Sequence, residues 1–130
     1  MASKLDILIK KFECYDYDWM NFPITKHNPL TFHHMEKASE NGKRNLKNGA
    51  LLTNSAHQYL HIIEELDYKK YVVLNKIFTL INLSGVKPNI EIRDFVDSLL
   101  NQFYEEHKYD KNRRGEKILK GNFNNRFKNL

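Results

Sequence analysis

Cysteine is almost missing from this chain: Cys14 is the single one among 130 residues. One thiol cannot build an intrachain disulfide framework, and it excludes a zinc site made mainly of thiolates. Its scarcity suits a reducing compartment. No run of about 18 apolar residues occurs, so a membrane span is not expected. The opening residues, Met-Ala-Ser-Lys-Leu-Asp, lack the long apolar stretch and small-residue cleavage site of a secretory signal. Internal repeats and long linkers are missing too. These absences together predict a soluble cytoplasmic protein. What is there suffices for a core: 41% of residues are apolar and 12% aromatic, which rules out wholesale disorder. The length fits one domain. A core of that size is small, so a bound metal or a partner can add stability that burial alone does not supply.

Charge is unevenly spread. The formal net charge is +5, yet residues 108–130 alone hold eight bases against Asp110 and Glu116, a net of +6. Residues 1–107 are therefore close to neutral. The bases of this tail, Arg113 and Arg114 among them, favour a polyanion through counterion release, which needs no fixed structure. Phe123 and Phe127 could stack on bases or dock the tail back on the core. A solubilising, partly disordered end is the alternative.

Leu5, Leu8, Ile9 and Phe12 are spaced like one face of a short helix. Residues 14–29 are aromatic and turn-rich, and read as an irregular arm. A first strand fits Leu30-Thr-Phe-His-His34, a polar loop with Asn41-Gly42 follows, and a second strand fits Gly49-Ala-Leu-Leu-Thr53. Thr53, Asn54 or Ser55 can cap a helix running to about Leu66. Further helices fit 68–82 and 90–107, with Gly85 and Pro88 breaking the pattern between them.

Four of the six histidines fall between positions 33 and 61. His33 and His34 are neighbours on a strand and so point to opposite sides. His57 and His61 stand four apart on a helix, on one face, where two imidazoles can reach one metal ion. Two helical histidines with one from a strand make a three-nitrogen site that leaves positions open for water or substrate.

The sequence of His33-His34, Ser39-Glu40-Asn41-Gly42, Asn48, Leu51-Leu52 and His57 resembles the HNH endonucleases with a ββα-metal (His-Me) finger. The intervals, 14 residues from His34 to Asn48 and nine from Asn48 to His57, agree with that family. His61 resembles the second helical histidine of the nuclease colicins. The likeness spans about residues 30–66. Three positions depart from it. Thr53 and Ala56 stand where many relatives have the second Cys-X-X-Cys pair of a structural zinc. Lys37 replaces the usual proline, and Phe32 stands where some members have an acid. Helices 68–107 are then left to brace the finger.

The resemblance implies an α+β fold: an N-terminal helix and arm over 1–29, a small ββα finger over 30–66, supporting helices over 67–107 and a basic tail over 108–130. It implies a metal-dependent DNA endonuclease. His34 would be the general base, Asn48 would hold the loop that orients it, and His33, His57 and His61 would bind one divalent ion. Nitrogen ligands favour zinc, nickel, cobalt or manganese, while magnesium prefers oxygen. Lys37, Lys43, Arg44 and Lys47 crowd the loop where phosphates would pass. The expected partner is double-stranded DNA, cut by a monomer or a homodimer, in a bacterial cell or a phage-infected host. Two other readings remain open: a ribonuclease, and an inactive finger serving as a nucleic-acid- or protein-binding module such as a phage-encoded inhibitor of host defence. Outside the motif, Cys14 is expected to be inert and Tyr59 to serve packing.

Overall fold

In the computed structural model, which describes residues 3–35 and 46–119, the chain begins with a capped helix. Ser3 accepts the Asp6 amide, and α1 runs over Lys4–Lys11 with an acid in its first turn and Lys10 and Lys11 in its last. Both charges complement the helix dipole. Its apolar face sends Leu8 and Phe12 into the core.

The arm that follows is irregular, as its composition predicts, and it is organised by one buried carboxylate. Asp18 accepts the amides of Met20 and Phe22 on Oδ1, and that of Thr53 on Oδ2 at 2.8 Å. It therefore shapes the turn and ties the arm to Thr53, 35 residues on. Trp19 and Met20 are fully buried, with Trp19 set edge-on to Phe12 and tilted against Phe78. Arg93 donates to the Asp18 carbonyl and to Asn21 Oδ1, so the arm is also anchored to the last helix.

β1 (Leu30–His34) and β2 (Gly49–Thr53) pair antiparallel, with His33 opposite Ala50 and His34 opposite Gly49. All five residues of β2 are buried. Thr53 caps α2 (Asn54–Leu66) by accepting the Ala56 amide, and Ala56, Leu60 and Ile63 form its buried stripe. Asp67 ends α2 and caps α3 (Tyr68–Ser84), which buries Tyr71, Leu74, Ile77, Phe78 and Ile81. α3 runs two residues past the expected end, until Gly85 turns left-handed at φ 72°. Asn89 caps α4 (Ile90–His107). The described architecture is thus α+β: a two-stranded sheet and four helices, in keeping with a small ββα unit held within additional helices. Among the described residues no helix is long and apolar enough to cross a membrane.

The described part of the basic end, residues 108–119, is held by local contacts. Residues 111 and 117 form an antiparallel bridge, Ile118 N–H bonds back to the Asp110 carbonyl, and Leu119 is buried. One apolar side chain in the core and a turn closed by Asn112 order a stretch whose charge alone suggests a solvated tail. Phe123 and Phe127 lie outside the described residues.

α3 braces the hairpin as expected, and it does so with amides as well as hydrocarbon. Asn82, 7% exposed, donates from Nδ2 to the carbonyls of Leu46 at 2.8 Å and Gly49 at 2.7 Å. These carbonyls flank Asn48 in a single turn of 3-10 helix, Leu46–Asn48. Asn82→Ala is expected to lower stability by about 2 kcal/mol, because it leaves two carbonyls of a buried joint without that donor. Urea unfolding measures it; a loss below about 0.5 kcal/mol would mean that water replaces the amide at no cost.

Candidate metal centre

Strand alternation sorts the site. Thr31 and His33 face α2 and α3, whereas Phe32 and His34 face the opposite side of the sheet. His33 is 4% exposed and stands with its ring edge-on to His57, centroids 5.2 Å apart. His57 and His61, one turn apart on α2, have rings stacked within 17° at 5.1 Å. The three histidines expected to bind metal therefore form one continuous row, from the buried His33 through the half-buried His57 to His61, whose side chain is 60% exposed.

Two of the three have one ring nitrogen hydrogen-bonded to an oxygen, and the third has a carboxylate nearby. His33 Nε2 lies 3.0 Å from Asn75 Oδ1 on α3. His57 Nδ1 lies 3.3 Å from Thr31 Oγ1, and the Thr31 hydroxyl is itself spent on the Leu52 carbonyl at 2.7 Å. With its proton so used, the Thr31 oxygen accepts from His57 Nδ1–H, which leaves a lone pair on His57 Nε2. His61 Nδ1 lies 3.6 Å from the Glu64 carboxylate. Histidines that bind metals commonly donate their second N–H to such acceptors, which sets the tautomer and raises ligand basicity. At His33 and His57 protonation is disfavoured. Burial lowers His33 to about 4, and burial followed by the neighbouring His61 and His34 lowers His57. In ligand type the set suits a nitrogen-preferring divalent ion, but among the described residues only Asp67, Glu106 and His107 bring their ligand atoms within 4.8 Å of one another.

His34 sits at the end of β1, half-buried, with its ring edge against Phe32 at 5.0 Å. It is on the other face from the three-histidine row, as neighbours on a strand must be, yet its charge is among those that lower His33 and His57. Opposite it, Gly49 has no room for a side chain: a Cβ there would lie 2.5 Å from the Phe32 ring and 2.8 Å from Leu8 Cδ1. Gly49→Ala must therefore displace Phe32, and with it the ring that His34 leans on. The expected cost is about 1–3 kcal/mol of overpacking, with a shifted His34 ring resonance in NMR. An unmoved resonance would show that Phe32 does not position His34.

Asn48 ends the 3-10 turn, and its carbonyl accepts the Met35 amide at 3.0 Å, which closes the base of the loop beside His34. Lys47 is exposed next to it, and Arg113 and Arg114 are exposed in the turn after α4. Lys37, Lys43 and Arg44 lie outside the described residues, as does the Ser39-Glu40-Asn41-Gly42 stretch. Tyr59 serves packing, with its ring between Phe22 and Phe103. The Cys14 thiol is buried and pushed up to about 12, chiefly by burial and then by the Asp18 charge, which makes it a poor nucleophile.

A further group of ligand types, Asp67, Glu106 and His107, gathers where α3 begins and α4 ends. Its cation is already present: Lys70 Nζ lies 2.8 Å from Asp67 and 3.1 Å from Glu106, while His107 Nδ1 bonds to Asp110. The reading from sequence missed Asn75, Thr31 and Glu64. The available signal was Asn75 and Asn82, two amides seven residues apart on the apolar helix α3. Comparison with protein-family models, with curated proteins and with solved structures finds no match to this chain.

Proposed function

We propose that this chain is a metal-dependent endonuclease that hydrolyses DNA phosphodiester bonds in the cytoplasm. The observation that carries the reading is the row of three histidines, His33 and His57 each with one nitrogen hydrogen-bonded to an oxygen and His61 stacked on His57. His33, His57 and His61 would hold one divalent ion. When bound, that ion supplies Lewis-acid stabilisation of the negative charge that develops on the phosphate and on the leaving 3′-oxygen.

The remaining roles belong to the protein. His34, at the strand end, takes a proton from the attacking water as the new phosphorus–oxygen bond forms, the general-base role open to an imidazole. The bond from phosphorus to the 3′-oxygen breaks and that oxygen takes a proton from solvent, leaving 5′-phosphate and 3′-hydroxyl ends. Asn48 keeps the loop closed against β1, so that His34 keeps one orientation. Lys47, with Lys37, Lys43 and Arg44 from the same loop, contacts backbone phosphates, and Arg113 and Arg114 add affinity without reading bases. One site per chain nicks one strand at a time, and a homodimer cuts both.

A second reading, an inactive finger that binds nucleic acid or a protein partner, is favoured by a single observation: His34 packs on Phe32, away from the histidine row. Supercoiled plasmid decides between them, incubated with magnesium, manganese, nickel or zinc in turn and with EDTA, beside an RNA substrate. Metal-dependent nicked or linear DNA is the expected product. Binding without cleavage under every metal would establish the scaffold, and cleavage of RNA alone a ribonuclease.

A further inference from the structure

The turn after α4 is ordered, yet its charges are not compensated. Lys111 and Lys117 pair through an isolated antiparallel bridge, and the Asn112 side chain accepts the amides of Arg114 at 2.8 Å and Glu116 at 3.0 Å. Gly115 supplies the left-handed φ of 79° that the turn needs. The bond of Asp110 to His107 fixes one end, and the buried Leu119 fixes the other. Side chains of directly opposed residues leave an antiparallel pair on the same side, and like charges there destabilise it. Lys111 and Lys117 are such a pair, with Arg113 and Arg114 between them in sequence. All four are exposed, and among the described residues none of them forms an ion pair. The acids of the turn are engaged elsewhere, Asp110 by His107 and Glu116 by Asn112. An anion set among the four bases relieves their repulsion.

At the entry to the turn stands Tyr109, 74% exposed. Lys108 Nζ lies over its ring, 5.3 Å from the centroid, and is itself held by Glu105 at 2.7 Å. The ring is thus backed by a cation while most of it is left to solvent. We propose that this turn binds single-stranded nucleic acid, with Lys111, Arg113, Arg114 and Lys117 on backbone phosphates and Tyr109 stacked on an unpaired base. The four bases alone attract any polyanion. The exposed ring selects among them, because a nucleobase has an aromatic face to offer and a lipid headgroup has none. A duplex has none to spare either, since its bases are stacked on one another. The turn is ordered before it binds, so little freedom is lost when it does. The proposal rests on the reading of nucleic acid as the partner and narrows it to a strand with unpaired bases. It does not depend on the metal.

Fluorescence anisotropy tests this in EDTA, where nothing is cut, with a short labelled oligothymidine and a duplex of the same length over a series of salt concentrations. Wild type is expected to bind the single strand with an affinity that falls as salt rises. Lys111→Gln, Arg113→Gln, Arg114→Gln and Lys117→Gln should each flatten the plot of log affinity against log salt by about 0.7, the share of one phosphate contact on a single strand. Tyr109→Ala should weaken oligothymidine binding by about 5–100-fold at an unchanged slope and leave the duplex as it was. Tyr109→Phe, which keeps the ring, should bind like wild type. All five side chains are exposed, so the melting temperatures should stay at the wild-type value. The proposal is overturned by a wild type that does not bind oligothymidine, by glutamine variants with the wild-type slope, or by Tyr109→Ala binding as tightly as wild type. Equal losses on duplex and single strand in Tyr109→Ala overturn it too, as does a wild type that prefers phosphatidylserine vesicles to oligothymidine. Plasmid left uncut under every metal while the expected binding holds would end the nuclease reading and leave this surface standing.

Discussion

His34→Ala is expected to slow metal-supported DNA cleavage by about 10²–10⁴-fold while leaving divalent-ion affinity near that of wild type. The two effects separate because β1 sends His34 and His33 to opposite faces of the sheet. His34 meets Phe32, and the histidine row meets α2 and α3. On the proposed mechanism, removing the general base would raise the barrier of the chemical step and leave the proposed ligand set intact. His57→Ala is the converse variant: it removes the central imidazole of the row, so affinity falls first and cleavage falls with it. That loss should exceed the about 10–100-fold drop that accompanies loss of an outer hydrogen bond alone. Single-turnover cleavage of plasmid at saturating metal, beside calorimetric titration of each variant, reads both quantities. A His34→Ala protein that cuts at the wild-type rate removes His34 from the chemistry. One that loses metal and cleavage together makes His34 a ligand or a support of the fold.

Much of this architecture is legible in the residues, for local reasons. Ser3, Thr53 and Asn89 each accept an amide three residues on, and the apolar spacing after each cap marks a helix. The strands are short, but His33-His34 and Leu51-Leu52 place them, and alternation alone separates the two neighbouring histidines. The i,i+4 spacing of His57 and His61 predicts the stacked pair. What was not legible depends on contacts between segments far apart in sequence. Asn75 meets His33 across 42 positions, and Asp18 meets Thr53 across 35. An amide on an otherwise apolar helix signals a buried partner, but nothing local names it. The turn after α4 is similar: the charges of residues 108–119 predict solvation, while the burial of Leu119 is set by a core that the local sequence does not describe.

Two buried groups make opposing demands on the stability of the metal-free protein as pH changes. Burial lowers His33 from 6.5 to about 4. Between those values the unfolded chain binds the extra proton, so stability is whole above about 6.5 and drains away as pH falls toward 4. The difference amounts to roughly 3 kcal/mol, at 1.36 kcal/mol per unit. His57, also lowered, acts in the same direction. Asp18 does the reverse. Burial pushes its carboxyl from 3.8 up to about 6 against the backbone amides that it accepts. Here the folded protein binds the extra proton, so the contribution is present below about 3.8 and is lost as pH rises through 6, again by roughly 3 kcal/mol. Over pH 4–6 the two largely cancel, and wild type in EDTA is expected to have a nearly level profile, with a gentle loss toward acid from His57. His33→Gln removes one side of this balance. Its unfolding free energy, measured with urea from pH 4 to 7, should rise on acidification where wild type does not. A His33→Gln profile parallel to that of wild type would show that His33 is not the buried neutral imidazole that the row of histidines requires.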